Sequence, residues 1–427
     1  MKKIVHFYSK FKAPVLYSGG SIVKSLAQMI TGFVIAKFVT PQDFGLWNTL
    51  NLALTYSLFL QAGLINGLNR ELPFLFGKGE EEEAIIMSGT VQTATLISSL
   101  IILFSGVGYL FFTTIQDPKM NYGIAGVTIL IALSYYQNYL FSTFRSKDSF
   151  LALSKLQLIH AIVNLSTLIL VVYYAYYGLI VKAIAVSVIY VSLMHLLRPI
   201  KVKFLWSKEA VIKLIKIGFP IFILAYIEAL AATTDKMLLL KYSDLEHLGF
   251  YSFGFYAFSS FSLFPSSVAS YIYPKMTYDY GKTNDKLIIW NYAKKITLVL
   301  LVILTPIAII GYFICPILVH KFFQPYILSI PVMQVLLFAG VFSGSVIAVN
   351  ALWSLKIWKY MIAYQLLFSM FLIIFPFVGL QLFENKLVGI SSGILAAHFI
   401  NLFSGITFIY LATHDKVSPS NNLSVIA

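Results

Sequence analysis

A few charged side chains stand inside long apolar runs, where charge is costly. Lys24 and Glu228 are the plainest cases. If their helices start near Pro14 and Gly218, a rise of about 1.5 Å per residue puts both about 15 Å deep, near the middle of a bilayer. A charge there costs roughly 2.5–3.5 kcal/mol on insertion scales, so it usually faces a cavity or a partner. The Lys24 ammonium would meet an anionic substrate group. Glu228 would be its counter-ion or a protonatable switch. The competing reading is a static salt bridge joining two halves of the chain. Asp235 and Lys236 lie about 27 Å along the same run, near its outer end. Lys236 there could simply snorkel. Arg70, with Asn66 and Asn69, lies near the inner end of another run. A guanidinium fork matches phosphate oxygens, although an inner arginine also obeys the positive-inside rule. Lys37 and Lys241 sit near outer ends, where a lysine can serve as an interfacial anchor. The candidate substrate-binding residues are therefore Lys24, Arg70, Lys37, Lys236 and Lys241. Glu228 and Asp235 are candidates for coupling or gating.

Other chemistry is not signalled. His160, His195 and His398 are scattered without metal-ligand spacing and read as packed or interfacial residues, so no metal site is expected. There is no Walker motif, hence no ATP hydrolysis, and no catalytic residue or nucleophile constellation. Asn164 reads as interhelical glue.

The elements that position these residues follow from composition. The chain has 427 residues, 59% hydrophobic and 11% charged, with a mean hydropathy of +0.83. A soluble domain is about 45–50% apolar and about 25% charged, so most of this surface must face lipid. Only helices or closed barrels satisfy the backbone there. A barrel would alternate over segments of about ten residues. The runs here are continuous over about twenty, the length of a spanning helix. Twelve spans result: Tyr17–Val39, Phe44–Leu68, Ala84–Phe112, Tyr122–Phe144, Phe150–Tyr174, Leu179–Leu197, Ile217–Leu240, Gly249–Tyr273, Ile296–His320, Leu328–Leu352, Tyr360–Leu380 and Val388–Thr413. Those at Phe44–Leu68 and Leu179–Leu197 are the most polar-interrupted.

Charge orients the spans. With both termini cytoplasmic, the large majority of the 31 Lys and Arg lie inside, including Arg145, Lys147 and the run from Arg198 to Lys216. Only Lys119, Lys182, Lys241, Lys321 and Lys386 fall outside. That asymmetry is the positive-inside pattern. The net charge of +14 is read as loop charge of this kind, not as nucleic-acid binding. All loops are short, which excludes a large extramembrane catalytic domain. The acidic run Glu80–Glu83 suits the start of the third span as a helix N-terminus. The one cysteine, Cys315, lies in an apolar run.

The halves repeat at one fixed offset. Lys37 falls on Lys241, Phe38 on Tyr242, Gly45 on Gly249, and Gly77–Lys78 on Gly281–Lys282. Lys24 falls on Glu228, so equivalent positions hold opposite charges. Both copies begin inside, so the repeats are parallel, a common transporter layout. The halves are 1–200 and 201–427, with their boundary near Arg198–Ser207. The basic stretch Arg198–Lys216 joins them and reads as an interfacial amphipathic helix.

Three segments carry a family resemblance. They are FVTPQDFGLWNTLNL (Phe38–Leu52) with GLINGLNRELP (Gly63–Pro73), KLIKIGFPIFI (Lys213–Ile223), and TTDKMLLLKYSDLEHLGFYSFGF (Thr233–Phe255). The chain resembles the polysaccharide (O-antigen or capsule repeat-unit) flippases of the multidrug/oligosaccharidyl-lipid/polysaccharide exporter superfamily. The resemblance implies an all-α polytopic membrane protein with two pseudo-symmetric six-helix bundles around a central cavity. It implies a bacterial inner-membrane location and an undecaprenyl-diphosphate-linked oligosaccharide as substrate, flipped to the periplasmic leaflet by alternating access. No cofactor is expected, and the energy would come from an H+ or Na+ gradient or from mass action. Membrane lipids, a polysaccharide polymerase and a chain-length regulator are the implied partners. Two other functions remain open: a drug/cation antiporter of the same superfamily, and a membrane-embedded polymerase or glycosyltransferase. The antiporter would favour an acidic cavity, and the inferred cavity spans carry more cations than acids. The enzyme would need a large loop with Arg, Asp or His clusters.

Overall fold

The computed structural model describes the backbone of residues 2–261, 263–283, 285–355 and 357–415. Side chains are described there except at 2–18, 263–264, 267, 270–271, 273–274, 347–348, 350 and 353–354. The basic N-terminal side chains and the polar tail beyond 415 lie outside the described residues. Among the described residues there is no strand. Sixteen α-helices run in chain order: α1 (Lys2–Phe38), α2 (Pro41–Ser57), α3 (Leu64–Lys78), α4 (Glu81–Phe112), α5 (Pro118–Ser146), α6 (Phe150–Ser166), α7 (Leu168–Leu196), α8 (Lys208–Ala231), α9 (Thr234–Tyr242), α10 (Leu245–Phe261), α11 (Leu263–Thr283), α12 (Lys286–Phe322), α13 (Ile330–Ser345), α14 (Asn350–Leu355), α15 (Trp358–Leu382) and α16 (Lys386–His414).

Nine helices among the described residues are long and apolar enough to cross a membrane. The other three expected spans exist in two pieces each. Phe44–Leu68 divides into α2 and α3 at Ala62 and Gly63, both left-handed at φ 46 and 82°. A Cβ on Gly63 would fall 2.6 Å from the Gly218 carbonyl carbon. Phe150–Tyr174 divides near Thr167 into α6 and the start of α7. Gly249–Tyr273 divides into α10 and α11. The expected reversal between Tyr174 and Leu179 falls at Ala175, whose φ of 46° and ψ of −119° break α7. Gly178 lets the chain fold back, since a Cβ there would lie 1.9 Å from the Leu170 carbonyl oxygen.

Helix starts follow local chemistry. Asp117 and Asp285 accept from Lys119 N at 2.9 Å and Leu287 N at 2.8 Å, opening α5 and α12. Glu81, Glu82 and Glu83 occupy the first turn of α4, where carboxylates suit the helix dipole. Glu83 also pairs with Lys213 at 2.8 Å.

Two expectations change. The Ile217–Leu240 span is not continuous, because α8 ends at Ala231 and α9 starts at Thr234. The Thr233 hydroxyl donates to the Leu230 carbonyl at 2.8 Å, competing with the helical ladder. The Arg198–Lys216 stretch is not one amphipathic helix. Residues 198–207 form no helix, and helix begins only at Lys208. Ile200 and Val202 are buried in alternation while Lys201 and Lys203 are exposed, a strand-like period of two. Ser207 then caps α8, accepting from Ala210 N at 3.2 Å.

The chain forms two compact units: residues 1–39 with 46–226, and residues 40–45 with 227–427. The stretch expected as the boundary lies inside the first unit. Its α8 turn packs on α3 so closely that a Cβ on Gly67 would fall 2.1 Å from the Leu214 carbonyl oxygen. The first unit's core gathers Leu68, Leu72, Met87, Phe144, Met194 and Leu214, all essentially unexposed. The second gathers Ile289, Leu352, Leu355, Ile409 and Ala412 around α12, α14 and α16.

The helix boundaries keep the repeat. Pro41–Ser57 and Leu245–Phe261 are both 17 residues long, and Lys37 and Lys241 each occupy the last turn of a helix. The copies differ where α1 runs unbroken but α8 gives way to α9.

Candidate functional site

In the first unit, Lys24 is half-buried on α1, its ammonium 5.0 Å from the centre of the Tyr190 ring. A cation over a ring face is held by the ring quadrupole without any counter-ion. His160 packs edge-on with the same Tyr190 ring, centres 5.0 Å apart. Its Nδ1 has no hydrogen-bond partner among the described residues. Lys182, expected in an outer loop, is instead 4% exposed within α7. Its ammonium donates to Asn164 Oδ1, and Asn164 Nδ2 donates to Thr31 Oγ1 at 2.9 Å. The outer-loop expectation fails because the reversal at Ala175 starts the next helix seven residues before Lys182. Asn164 does act as interhelical glue, binding side chains from α1 and α7.

The other candidates of this unit lie on its surface. Arg70 is exposed on α3, and Lys37 is exposed at the end of α1, its ammonium 6.0 Å from the Phe38 ring centre.

In the second unit, Glu228 and Asp235 line one cavity of about 260 Å³. Nothing in their spacing alone required this, since the break at Thr233 separates their helices. Glu228 accepts from Gln365 Nε2 on α15. Asp235 is 1% exposed. It accepts from the Tyr251 hydroxyl at 2.5 Å and from Lys236 N at 2.7 Å. These donors are neutral, so the carboxylate is held by dipoles and by the adjacent Lys236 charge. The Lys236 ammonium itself lies over Phe255, 5.4 Å from the ring centre. Lys241 is exposed at the end of α9, 5.2 Å from the Tyr242 ring centre. Its aromatic neighbour repeats the Lys37–Phe38 arrangement.

The same cavity takes His398, which the sequence analysis read as a packed or interfacial residue, and Asn401, which it passed over. His398 packs between Phe258 and Phe368, with ring centres 5.1 and 5.5 Å away. Asn401 is 1% exposed, its amide donating to the Tyr364 hydroxyl at 2.9 Å. His398 Nδ1 and Asn401 Oδ1 have no hydrogen-bond partner among the described residues. Buried polar atoms are normally paired, so both are open to a small polar guest. The only sequence signal was their presence at helical spacing in one apolar run. No group of three or more His, Cys, Asp or Glu able to hold a metal ion occurs among the described residues.

The fold has relatives among solved structures. The lipid II flippase MurJ in its inward closed conformation matches with a TM-score of 0.69 at 13% identity, covering 93% of this chain and 90% of that one. An inward-facing multidrug resistance MATE family transporter of the MOP superfamily matches at 0.62 and 11% identity, over 92% and 96%. The MATE transporter VcmN from Vibrio cholerae, in its bent form, matches at 0.56 and 15% identity, over 95% and 98%. No curated protein matches the chain in sequence. Residues 14–278 match the family described as polysaccharide biosynthesis protein. With more than half of its length in that match, this multi-pass membrane chain belongs to the polysaccharide biosynthesis protein family.

Proposed function

We propose that the chain is a flippase. It turns undecaprenyl-diphosphate-linked oligosaccharide repeat units from the cytoplasmic to the periplasmic leaflet of the bacterial inner membrane, by alternating access, with both termini cytoplasmic. The observation that carries this reading is the state of Lys24 and Lys182. Both are held at depth by neutral groups, a tyrosine ring and an asparagine amide. Neither has a carboxylate partner among the described residues of its unit. Unneutralised cations of this kind suit an anionic diphosphate headgroup. The family match supports a polysaccharide precursor, and the MurJ likeness is to a protein that flips lipid II. Arg70, Lys37, Lys236 and Lys241 are further contacts for the headgroup in this reading.

Glu228 and Asp235 serve as the coupling pair for H+ or Na+. Their cavity of about 260 Å³ also supports a second reading, a cation antiporter. Drug-sized ligands occupy about 300–1,000 Å³, so the volume favours a small ion over a drug.

The test is surface-polysaccharide complementation with Lys24→Ala, Glu228→Ala and the double swap Lys24→Glu/Glu228→Lys. Both single variants are expected to lose most export at equal expression, and the swap to remain inactive though folded. Restored export in the swap would reduce the pair to a structural role. Full activity in both single variants would remove them from transport.

A further inference from the structure

A second cavity opens at the far end of the same helices. It is a groove of about 870 Å³ between the end of α9, the start of α10, the 3-10 segment Gln324–Ser329 and the start of α16. These helices carry the Glu228/Asp235 cavity deeper down. The volume lies inside the range of about 300–1,000 Å³ typical of ligand sites. On the orientation proposed above, the groove faces the periplasm.

Its chemistry differs from the rest of this chain. The protein carries +14 overall, yet the groove holds Asp244 and Glu384 against Lys386 and His247. The cations are already engaged. Lys386 donates to the Tyr242 carbonyl, and His247 Nδ1 meets Asp244 Oδ1 at 2.8 Å. Glu384 has no partner among the described residues. Asn385 spends its Oδ1 on Val388 N at 3.2 Å as the α16 cap, which leaves its amide N–H groups as donors. What remains is a carboxylate, an amide donor and the Ser243 hydroxyl above an apolar floor of Ile327, Leu328 and Pro331. A carboxylate accepts two hydroxyl protons side by side, and an amide donates to hydroxyl oxygens. Such a set reads vicinal hydroxyls.

We infer that this groove is a release-side subsite for the uncharged, polyhydroxylated part of the cargo, the sugar. The inference rests on the flippase reading and adds a division of labour to it. The diphosphate is the group that the lysines named above suit, and the sugar is the part that the acid-and-amide groove suits. A sugar bound there touches the outer ends of α9 and α16. Their inner turns carry Asp235, His398 and Asn401, so the site gives the transporter a contact that depends on cargo position. Differential contact of this kind is what a ligand needs to bias a conformational equilibrium.

The experiment uses the full chain in cells. With Cys315→Ser as background, Glu384→Cys and the control Lys119→Cys, at the start of α5, are labelled in spheroplasts with a membrane-impermeant maleimide. Cells making the lipid-linked oligosaccharide are compared with cells lacking the first glycosyltransferase of its assembly. Labelling of Glu384→Cys is expected to slow several-fold only where the oligosaccharide is made, with Lys119→Cys unchanged. Equal rates in the two strains would overturn the subsite, and slow labelling in both would assign the groove to a protein occupant and overturn it equally. In parallel, Glu384→Gln is expected to lower export several-fold while the exposed Glu246→Gln does not; normal export in Glu384→Gln would count against the site. Export by the Cys315→Ser parent separates the two levels. If polysaccharide export does not depend on the chain, the flippase reading falls and the subsite with it. If export depends on the chain but labelling ignores the cargo, only the subsite falls.

Discussion

Asp235 sits at 1% exposure with a tyrosine hydroxyl and a backbone amide as its hydrogen-bond donors. Removing one donor from a buried charged acceptor costs about 1–3 kcal/mol. Tyr251→Phe should therefore lower the thermal unfolding midpoint in detergent measurably, whereas Tyr122→Phe, at a position 61% exposed, should not. Identical midpoints would mean that the hydroxyl contributes nothing to holding Asp235. Lys182 offers the opposite case. Asn164→Leu leaves a buried ammonium without its acceptor and should cost about 2–3 kcal/mol. Lys182→Met removes the charge and keeps the volume, so it should cost less, because replacing a buried polar group by an apolar one is often near neutral. Thermal melts of the two variants decide it: a larger loss in Lys182→Met would show that the lysine is itself stabilising. Charges in apolar runs were legible one at a time, as Lys24, Glu228 and Asp235 were. Their partners Tyr190, Gln365 and Tyr251 were not, because a neutral side chain on another helix leaves no mark in the sequence near the charge.

The glycines at Gly45 and Gly249 show how the elements approach one another. Within the second unit, a Cβ on Gly45 would fall 1.7 Å from the Leu245 carbonyl oxygen, and one on Gly249 would fall 1.8 Å from the Pro41 carbonyl oxygen. Two helix starts, repeat-related in sequence, thus cross backbone to backbone. Small residues permit such close crossings in membranes. Gly249→Ala should reduce the yield of folded protein sharply. Gly77→Ala meets open space on α3 and should stabilise by about 0.4–1 kcal/mol through the unfolded chain. Size-exclusion profiles and melts of both variants check the pair, and a well-folded Gly249→Ala protein would contradict the crossing. The repeat that aligned these glycines was readable in sequence. That α8 breaks where α1 does not was not readable, since both runs are apolar and the break depends on a threonine hydroxyl choosing a helical carbonyl.

For the whole molecule, orientation is the property that charge decides. Most cations lie in segments assigned to the cytoplasm, which predicts that an impermeant thiol reagent applied from the periplasmic side labels Lys321→Cys and spares Lys282→Cys, in the Cys315→Ser background. The reverse pattern would invert the topology. Both positions are exposed, so access and not burial sets the outcome.

The sequence by itself determined that the chain spans a membrane as helices, how many spans it makes, and that its two halves repeat. Those properties depend on the free energy of apolar runs in lipid and on a simple register, and both are local sums along the chain. Only the tertiary structure decided which polar groups share a cavity. Glu228, Asp235, His398 and Asn401 come from three helices. Their meeting depends on a helix break, on glycine crossings and on side-chain partners drawn from distant spans, and none of these is a sum over neighbours in sequence. Lys182 makes the same point: its burial was set by a single left-handed residue at Ala175, seven positions away.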